Sequence, residues 1–439
     1  MQHIIRTIVF SSLFFLLAQT NTNAQINRLN SPYSRLGVGD LFASEFSVNR
    51  ALGSASTAYR TPLNINFNNP ASYSSLAFAT LEMSVASNTH FMNNGNTTQR
   101  TGTAYPGYFA LGFPVVKQKW GSSIGLIPYS SLNYDLTDVR YTDGTTVNDV
   151  FFPSAGQINY RFLGAGNLYQ LYWGNGFKFK GLSAGVNIGW LFGTQTSEVR
   201  SNFIDFADAL SNRNLEELVV GDFMWSVGTQ YTHKMKDDFS LTVGATIKPL
   251  QEINATKDQR WERINIGSNS DEFTTTDTVL SVISDEGILQ LPSELSLGIM
   301  AQQSGSWLLA ADVKFQNWSE FQNFGVPDAN LTNAMQFGLG FELIPDSKSI
   351  TDFWKVANYR IGAYYNTGRM IFQDTQLSEY AVSLGLGLPI RKVDSRLNLS
   401  LEIGQRGSIE NNLIRETFIN TTFGFTLNDR AWFFKRVFD

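Results

Sequence analysis

The stretch Ala381–Ile390, AVSLGLGLPI, sets Val382, Leu384, Leu386, Leu388 and Ile390 against Ala381, Ser383, Gly385, Gly387 and Pro389. Period two puts each set on one face of an extended strand. One face is uniformly greasy and the other is nearly bare. A strand in a soluble sandwich would carry Lys and Glu on its outer face. Here the second face is small and polar, which suits lipid outside and a crowded interior within.

The same alternation recurs along the chain. Leu397, Leu399, Leu401 and Ile403 oppose Asn398, Ser400, Glu402 and Gly404, and Phe337, Leu339, Phe341 and Leu343 oppose Gln336, Gly338, Gly340 and Glu342. Fourteen such segments are countable, beginning near Leu76, Tyr108, Ser122, Gln157, Leu182, Met224, Phe239, Leu295, Trp307, Gln336, Tyr359, Tyr380, Leu397 and Thr417. Their connections alternate short and long. Long ones fall near Asn133–Gly156, Gln195–Asp222, Gln251–Pro292 and Asn317–Asn333, and only Pro345–Ala357 is long on the short side. Short inner turns, long outer loops and an even strand number are the pattern of a bacterial outer-membrane barrel. The last segment closes it, with Phe423 and Phe425 facing lipid.

Composition agrees. Charged residues are 16% of the 439-residue chain and aromatics 13%, against about 25% charge in soluble domains. Mean hydropathy is slightly negative, which excludes a helical membrane bundle. Arg6, the apolar run from Ile8 to Leu17 and the small residues up to Ala24 read as a secretory signal over residues 1–24. The chain has no cysteine, so lipoprotein anchoring, disulfides and thiolate chemistry are excluded. A net charge of −5 without a basic stripe excludes nucleic acid.

Residues 25–75 precede the barrel, which is expected over 76–428, with a basic aromatic inner tail over 429–439. Lumen-facing Asp312, Lys314, Glu342, Arg360, Glu402 and Arg406 sum to zero charge. Buried charges without partners cost several kcal/mol each, so this balanced set suits a plug held by ion pairs. The expected fold class is all-β: a 14-stranded antiparallel transmembrane β-barrel with an N-terminal hatch in its lumen. The hatch spans Gln25–Ser75.

Four motifs then resemble the FadL/TodX-type family of outer-membrane transporters for hydrophobic compounds. Asn69-Pro70-Ala71 is similar to that family's Asn-Pro-Ala motif where hatch meets barrel. LPSELSLGI, from Leu291, is similar to its Leu-Pro start of the eighth strand. Trp318, Ser319 and Phe321 resemble the Trp-Ser-x-Phe end of its ninth. GLIPYSS, with Gly125 and Pro128, resembles the kinked third strand that opens sideways; proline cannot donate a ladder hydrogen bond. The leader SPYSRLGVGDL and the basic aromatic tail resemble Bacteroidota-type members.

The resemblance implies an outer membrane of a Gram-negative bacterium. It also implies passive, hatch-gated lateral diffusion of fatty-acid-like or aromatic molecules, with membrane lipid and a hydrophobic ligand as partners. The alternative it implies is a non-transporting accessory barrel in a secretion or barrel-assembly complex, with outer-membrane proteins or lipoproteins as partners. An outer-loop helix over Phe203–Val220 would gather Phe203, Phe206, Leu210, Leu215, Leu218 and Val219 into an apolar patch. Catalysis and cofactors are not expected. Only His90 and His233 persist beyond the signal, and no phosphate loop or HExxH pair occurs. Asp271, Glu272 and Asp277 read as a solvated acidic loop rather than a calcium site.

Overall fold

The computed structural model describes residues 31–429, except 143–144, 148–149, 153–155, 207–208, 236–237, 267–271, 373 and 391–393. The signal, the tail 430–439 and Asp271 therefore lie outside the described residues.

Fourteen antiparallel strands close into a barrel. They are β1 (Ala79–Asn93), β2 (Thr98–Val116), β3 (Trp120–Ser131), β4 (Gly156–Phe179), β5 (Leu182–Phe203), β6 (Ser211–Lys234) and β7 (Phe239–Lys248, then Gln251–Ile266). After them come β8 (Phe273–Leu291, then Glu294–Gln303), β9 (Trp307–Gln316), β10 (Ala334–Leu343), β11 (Asn358–Asn366), β12 (Glu379–Pro389), β13 (Arg396–Arg406) and β14 (Arg415–Asp429). β14 returns to β1 in register from Ala79 opposite Asp429 to Asn93 opposite Arg415. The sheet so closes on itself, as backbone polar groups in lipid demand. The alternation holds: Val382 and Leu384 face out while Ala381 and Ser383 are buried, and Phe423 faces lipid. The barrel is an outer-membrane protein.

The connections depart from expectation. The residues read as long loops at Gln195–Asp222 and Gln251–Pro292 are mostly strand, continuing β5 to β8 beyond the membrane. β4 and β6 run 24 residues each, whereas β9 and β10 run 10. At ~3.3 Å per residue that is about 80 Å of strand against about 33 Å. One side of the barrel thus rises as a tall outer wall. Its outer face is solvated rather than greasy, so the contrast that marks a membrane strand fades there.

A line of breaks marks where the wall leaves the membrane. Gly193 in β5 sits at φ +145°, a conformation open to glycine, and a Cβ there would meet the Asn167 carbonyl oxygen at 2.2 Å. β7 and β8 are interrupted side by side, at Pro249-Leu250 and Pro292-Ser293, where Lys248 pairs Glu294 and Gln251 pairs Leu291. Above this line β6 exchanges the first segment of β7 for its second.

The expected outer-loop helix does not form. Phe203 ends β5, Phe206 and Leu210 are exposed at the turn, and Leu215, Leu218 and Val219 lie within β6. Leu215 pairs Glu198 on one side and Arg260 on the other. The ladders on both sides hold this backbone in the wall, and strand alternation turns Leu218 inward and Val219 outward. The outer β1–β2 turn, between Asn93 and Thr98, is also short.

Candidate functional site

The hatch enters as a 3-10 turn (Pro32–Arg35) at the outer mouth, descends through a two-residue strand (Asp40–Leu41) and a one-turn helix (Ser47–Arg50), and ends in a 3-10 turn (Pro70–Ser75) near the inner rim. Along Leu52 and Gly53 it packs backbone to wall because the wall facing it there is nearly bare. A Cβ at Gly362 would lie 2.1 Å from the Gly53 amide nitrogen, and one at Gly340 2.3 Å from the Leu52 carbonyl oxygen. The Gly53 amide donates to Ser383 Oγ at 3.1 Å. The small face of Ala381–Ile390 is therefore the seat of the hatch backbone, with Gly385 against Ala51.

The Asn-Pro-Ala turn is the hinge pin. Asn69 Oδ1 accepts from the Ala71 amide at 3.1 Å, capping the terminal turn, while Nδ2 donates to the carbonyls of Thr57 (2.7 Å) and Thr229 (3.2 Å). One buried side chain so ties two parts of the hatch to β6. Tyr73 donates to Asn187 Oδ1 at 3.0 Å, and Asn187 donates back to the Phe67 carbonyl at 2.9 Å. Arg60 is buried among Ser183, Ser74 and Thr232 hydroxyls, and burial pushes its guanidinium down to about 10. Asn69→Ala removes a cap worth roughly 0.5–2 kcal/mol and the side-chain bonds that tie the Thr57 and Thr229 carbonyls together. The expected result is faster tryptic cleavage at Arg60 in detergent, with the barrel's heat-modifiable gel mobility unchanged.

All six lumen charges named from sequence find partners. Asp312 Oδ2 accepts from the amides of Ser56 (2.7 Å) and Thr57 (2.6 Å), and Lys314 pairs Glu45 at 3.2 Å. Glu402 meets Arg50 at 3.7 Å, and Glu342 and Arg360 pair at 2.5 Å. Arg406 is the outer latch: it pairs Asp40 at 2.8 Å and Glu416 at 2.6 Å and donates to Ser31 Oγ. Sequence reasoning missed Glu416, although extending the lumen parity of β14 back from Asn420 reaches it. It also missed the hatch ions Asp40, Glu45 and Arg50, whose partners lie hundreds of residues away.

The wall has a gap. β2 and β3 pair only from Phe109 opposite Leu126 down to the inner turn. Above that level β3 pairs with the hatch instead, Asp40 opposite Ser131 and Leu41 opposite Ser130, and the Phe42 amide donates to the Tyr129 carbonyl at 3.0 Å. Pro128 lies at the register shift between β3 and β4, just above Gly125, whose missing Cβ leaves room for the Tyr172 ring. The hatch thus patches a sideways opening with two residues of strand.

Behind the patch is a cavity of about 510 Å³ bordered by Asp40, Arg50, His90, Glu379, Glu402 and Arg406, and beside it a second of about 250 Å³. Above both, Tyr33, Leu36 and Val38 of the hatch join Trp318, Phe321 and Leu331 in an apolar cap across the mouth. Trp318 and Phe321 follow β9 in a turn and are buried. Arg369 lies over the Trp318 ring at 4.5 Å, and burial pushes it down to about 10. Among the described residues no group of three or more His, Cys, Asp or Glu side chains is placed to hold a metal.

A family model described as BamG matches residues 4–439. The chain belongs to the BamG family. No curated protein sequence matches it significantly. In fold, this BamG-family barrel is similar to the Pseudomonas putida toluene transporter TodX, with TM-score 0.53 and 17% identity over 90% of this chain and 100% of that one. It is similar also to the Ralstonia pickettii toluene transporter TbuX (TM-score 0.54, 11% identity, 88% and 99% covered) and to the monoaromatic hydrocarbon channel CymD (0.50, 12%, 89% and 98%). At such identities the likeness is one of fold: the BamG-family chain shares the barrel architecture of TodX, TbuX and CymD.

Proposed function

We propose that the chain serves as a sealed accessory barrel of an outer-membrane barrel-assembly complex and passes no solute itself. One observation carries this reading. The lumen route toward the wall gap is lined by Asp40, Arg50, Glu379, Glu402 and Arg406, locked largely to one another and to the hatch. A hydrophobic solute crossing there would displace ion pairs and leave buried charges uncompensated, at several kcal/mol per ion. Membership of the BamG family supports the assembly role, and the leader and tail support a Bacteroidota-type member. Extraction in gentle detergent should recover the barrel in constant stoichiometry with large outer-membrane partners. Recovery as a lone barrel after mild crosslinking in intact cells would overturn the reading.

A second reading, passive passage of fatty-acid-like or aromatic molecules, is favoured by the gap itself. Its position between β2 and β3, closed by hatch residues rather than by the wall, suits lateral release into lipid. Slower uptake of a radiolabelled long-chain fatty acid or toluene by cells lacking the protein would support it, provided that other barrels assemble normally in those cells.

A further inference from the structure

Over Phe273–Leu291, β8 rises above Pro292 as the last strand of the outer wall. It pairs β7 along one edge. On the other edge, among the described residues, Leu289 and Gln290 pair with Asn323 and Gln322, and the Ile288 carbonyl accepts from the Phe324 amide at 3.0 Å. From Thr274 to Glu286 every residue is exposed, so both faces and one edge of this strand are bare. Such edges are usually shielded by bulges, charge or brevity. This one carries three register shifts. Yet its middle is Val279-Leu280-Ser281-Val282-Ile283, with the four apolar residues 57%, 39%, 38% and 65% exposed. These side chains stand in water, beyond the ten-residue span Glu294–Gln303 that faces lipid. A run of β-formers with an unused ladder is the template for strand addition.

The charge on this edge selects the occupant. Residues 272–291 hold Glu272, Asp277, Asp285 and Glu286 and no Lys or Arg. A second copy is a poor fit. Two such strands pairing antiparallel about Ser281 would set Asp277 opposite Asp285 twice, and a parallel in-register pair would set each carboxylate against itself. Like charges directly opposite are destabilising. We infer that the free edge of β8 between Thr274 and Glu286 accepts an added strand from a different protein at the outer surface. That strand carries Lys or Arg on either side of an apolar centre, six residues apart, the spacing at which Arg263 and Lys257 of β7 stand opposite Asp277 and Asp285 across the bulges of β8. This inference stands whether or not the barrel passes solutes.

The test uses the full chain in nanodiscs and two fluorescent heptapeptides, KTVTVTK and ETVTVTE, read by anisotropy. The Lys-flanked peptide should bind at least tenfold more tightly than the Glu-flanked one. In the double variant Asp277→Lys and Asp285→Lys the order should reverse. Val279→Lys with Ile283→Lys should weaken both peptides tenfold or more. All four positions are exposed, and unchanged heat-modifiable mobility verifies that each variant is folded. Equal binding of both peptides, a preference that survives the charge reversal, no binding of either, or dimerisation of the wild-type barrel through this edge would each overturn the inference.

Discussion

Gly362→Leu combined with Gly340→Leu is expected to turn a closed barrel into an open pore. Both glycines face hatch backbone, not the flexible end of a side chain, so nothing nearby can swing aside. A Cβ at Gly362 would meet the Gly53 nitrogen at 2.1 Å, and one at Gly340 the Leu52 carbonyl oxygen at 2.3 Å. Overpacking of this kind costs about 1–3 kcal/mol per site, and the leucines bring three further carbons each. The wall cannot yield, because its ladder hydrogen bonds have no other partners in lipid. The hatch can, since its hold is side-chain contacts and a two-residue ladder to β3. Eight strands enclose just enough room for side chains, so fourteen without a plug leave a water-filled channel. Single-channel conductance in planar bilayers should rise from a closed baseline to the level of a variant lacking Gln25–Ser75. A folded double variant with wild-type conductance, or a hatch deletion that conducts no better than wild type, would show that the seal lies elsewhere.

Arg406→Met should release the upper hatch while leaving the lower hatch seated. The substitution keeps the side chain's bulk and strands Asp40 and Glu416 in a buried setting. Removing one member of a buried pair costs about 3–5 kcal/mol, which corresponds to a rise in local opening on the order of a hundredfold or more. The chain lacks cysteine, so a single Leu41→Cys probe reports on the patch without background. Its maleimide labelling should be slow in the parent and accelerate by about that factor with Arg406→Met. Arg406→Lys keeps the charge but loses the fork that reaches both carboxylates and Ser31, and should fall between. Unchanged labelling would mean that the ladder to Ser130 and Ser131 alone holds the patch in place.

Where lipid meets the wall, the architecture was legible in the residues. Leu384 against Gly385 reports two environments at once, and fourteen repeats of that contrast count the strands. Legibility failed where both faces meet water. In the outer wall Glu198, Arg200 and Arg213 point inward and pair there, while Thr and Ser face out, so polarity no longer alternates. Leu215, Leu218 and Val219 satisfy a helical spacing as well as a strand's, and only the ladders on either side decide. Charge balance foretold a plug, and Asp312, Lys314, Glu402 and Arg406 do hold it. The gap between β2 and β3 was announced only by Pro128. That the hatch would fill it rests on Asp40 meeting Ser131, a pairing no local pattern encodes.

The hatch starts at the outer mouth and joins β1 at the inner rim, so the polypeptide runs the height of the lumen. Arg50 pairs Glu402 within the lumen, and Arg60 sits near the inner rim among Ser74, Ser183 and Thr232. Hatch and wall share these buried polar contacts, so neither is satisfied without the other. Closing the seam between β1 and β14 and seating the hatch are therefore energetically coupled, and the plug acts as a mandrel for the barrel around it.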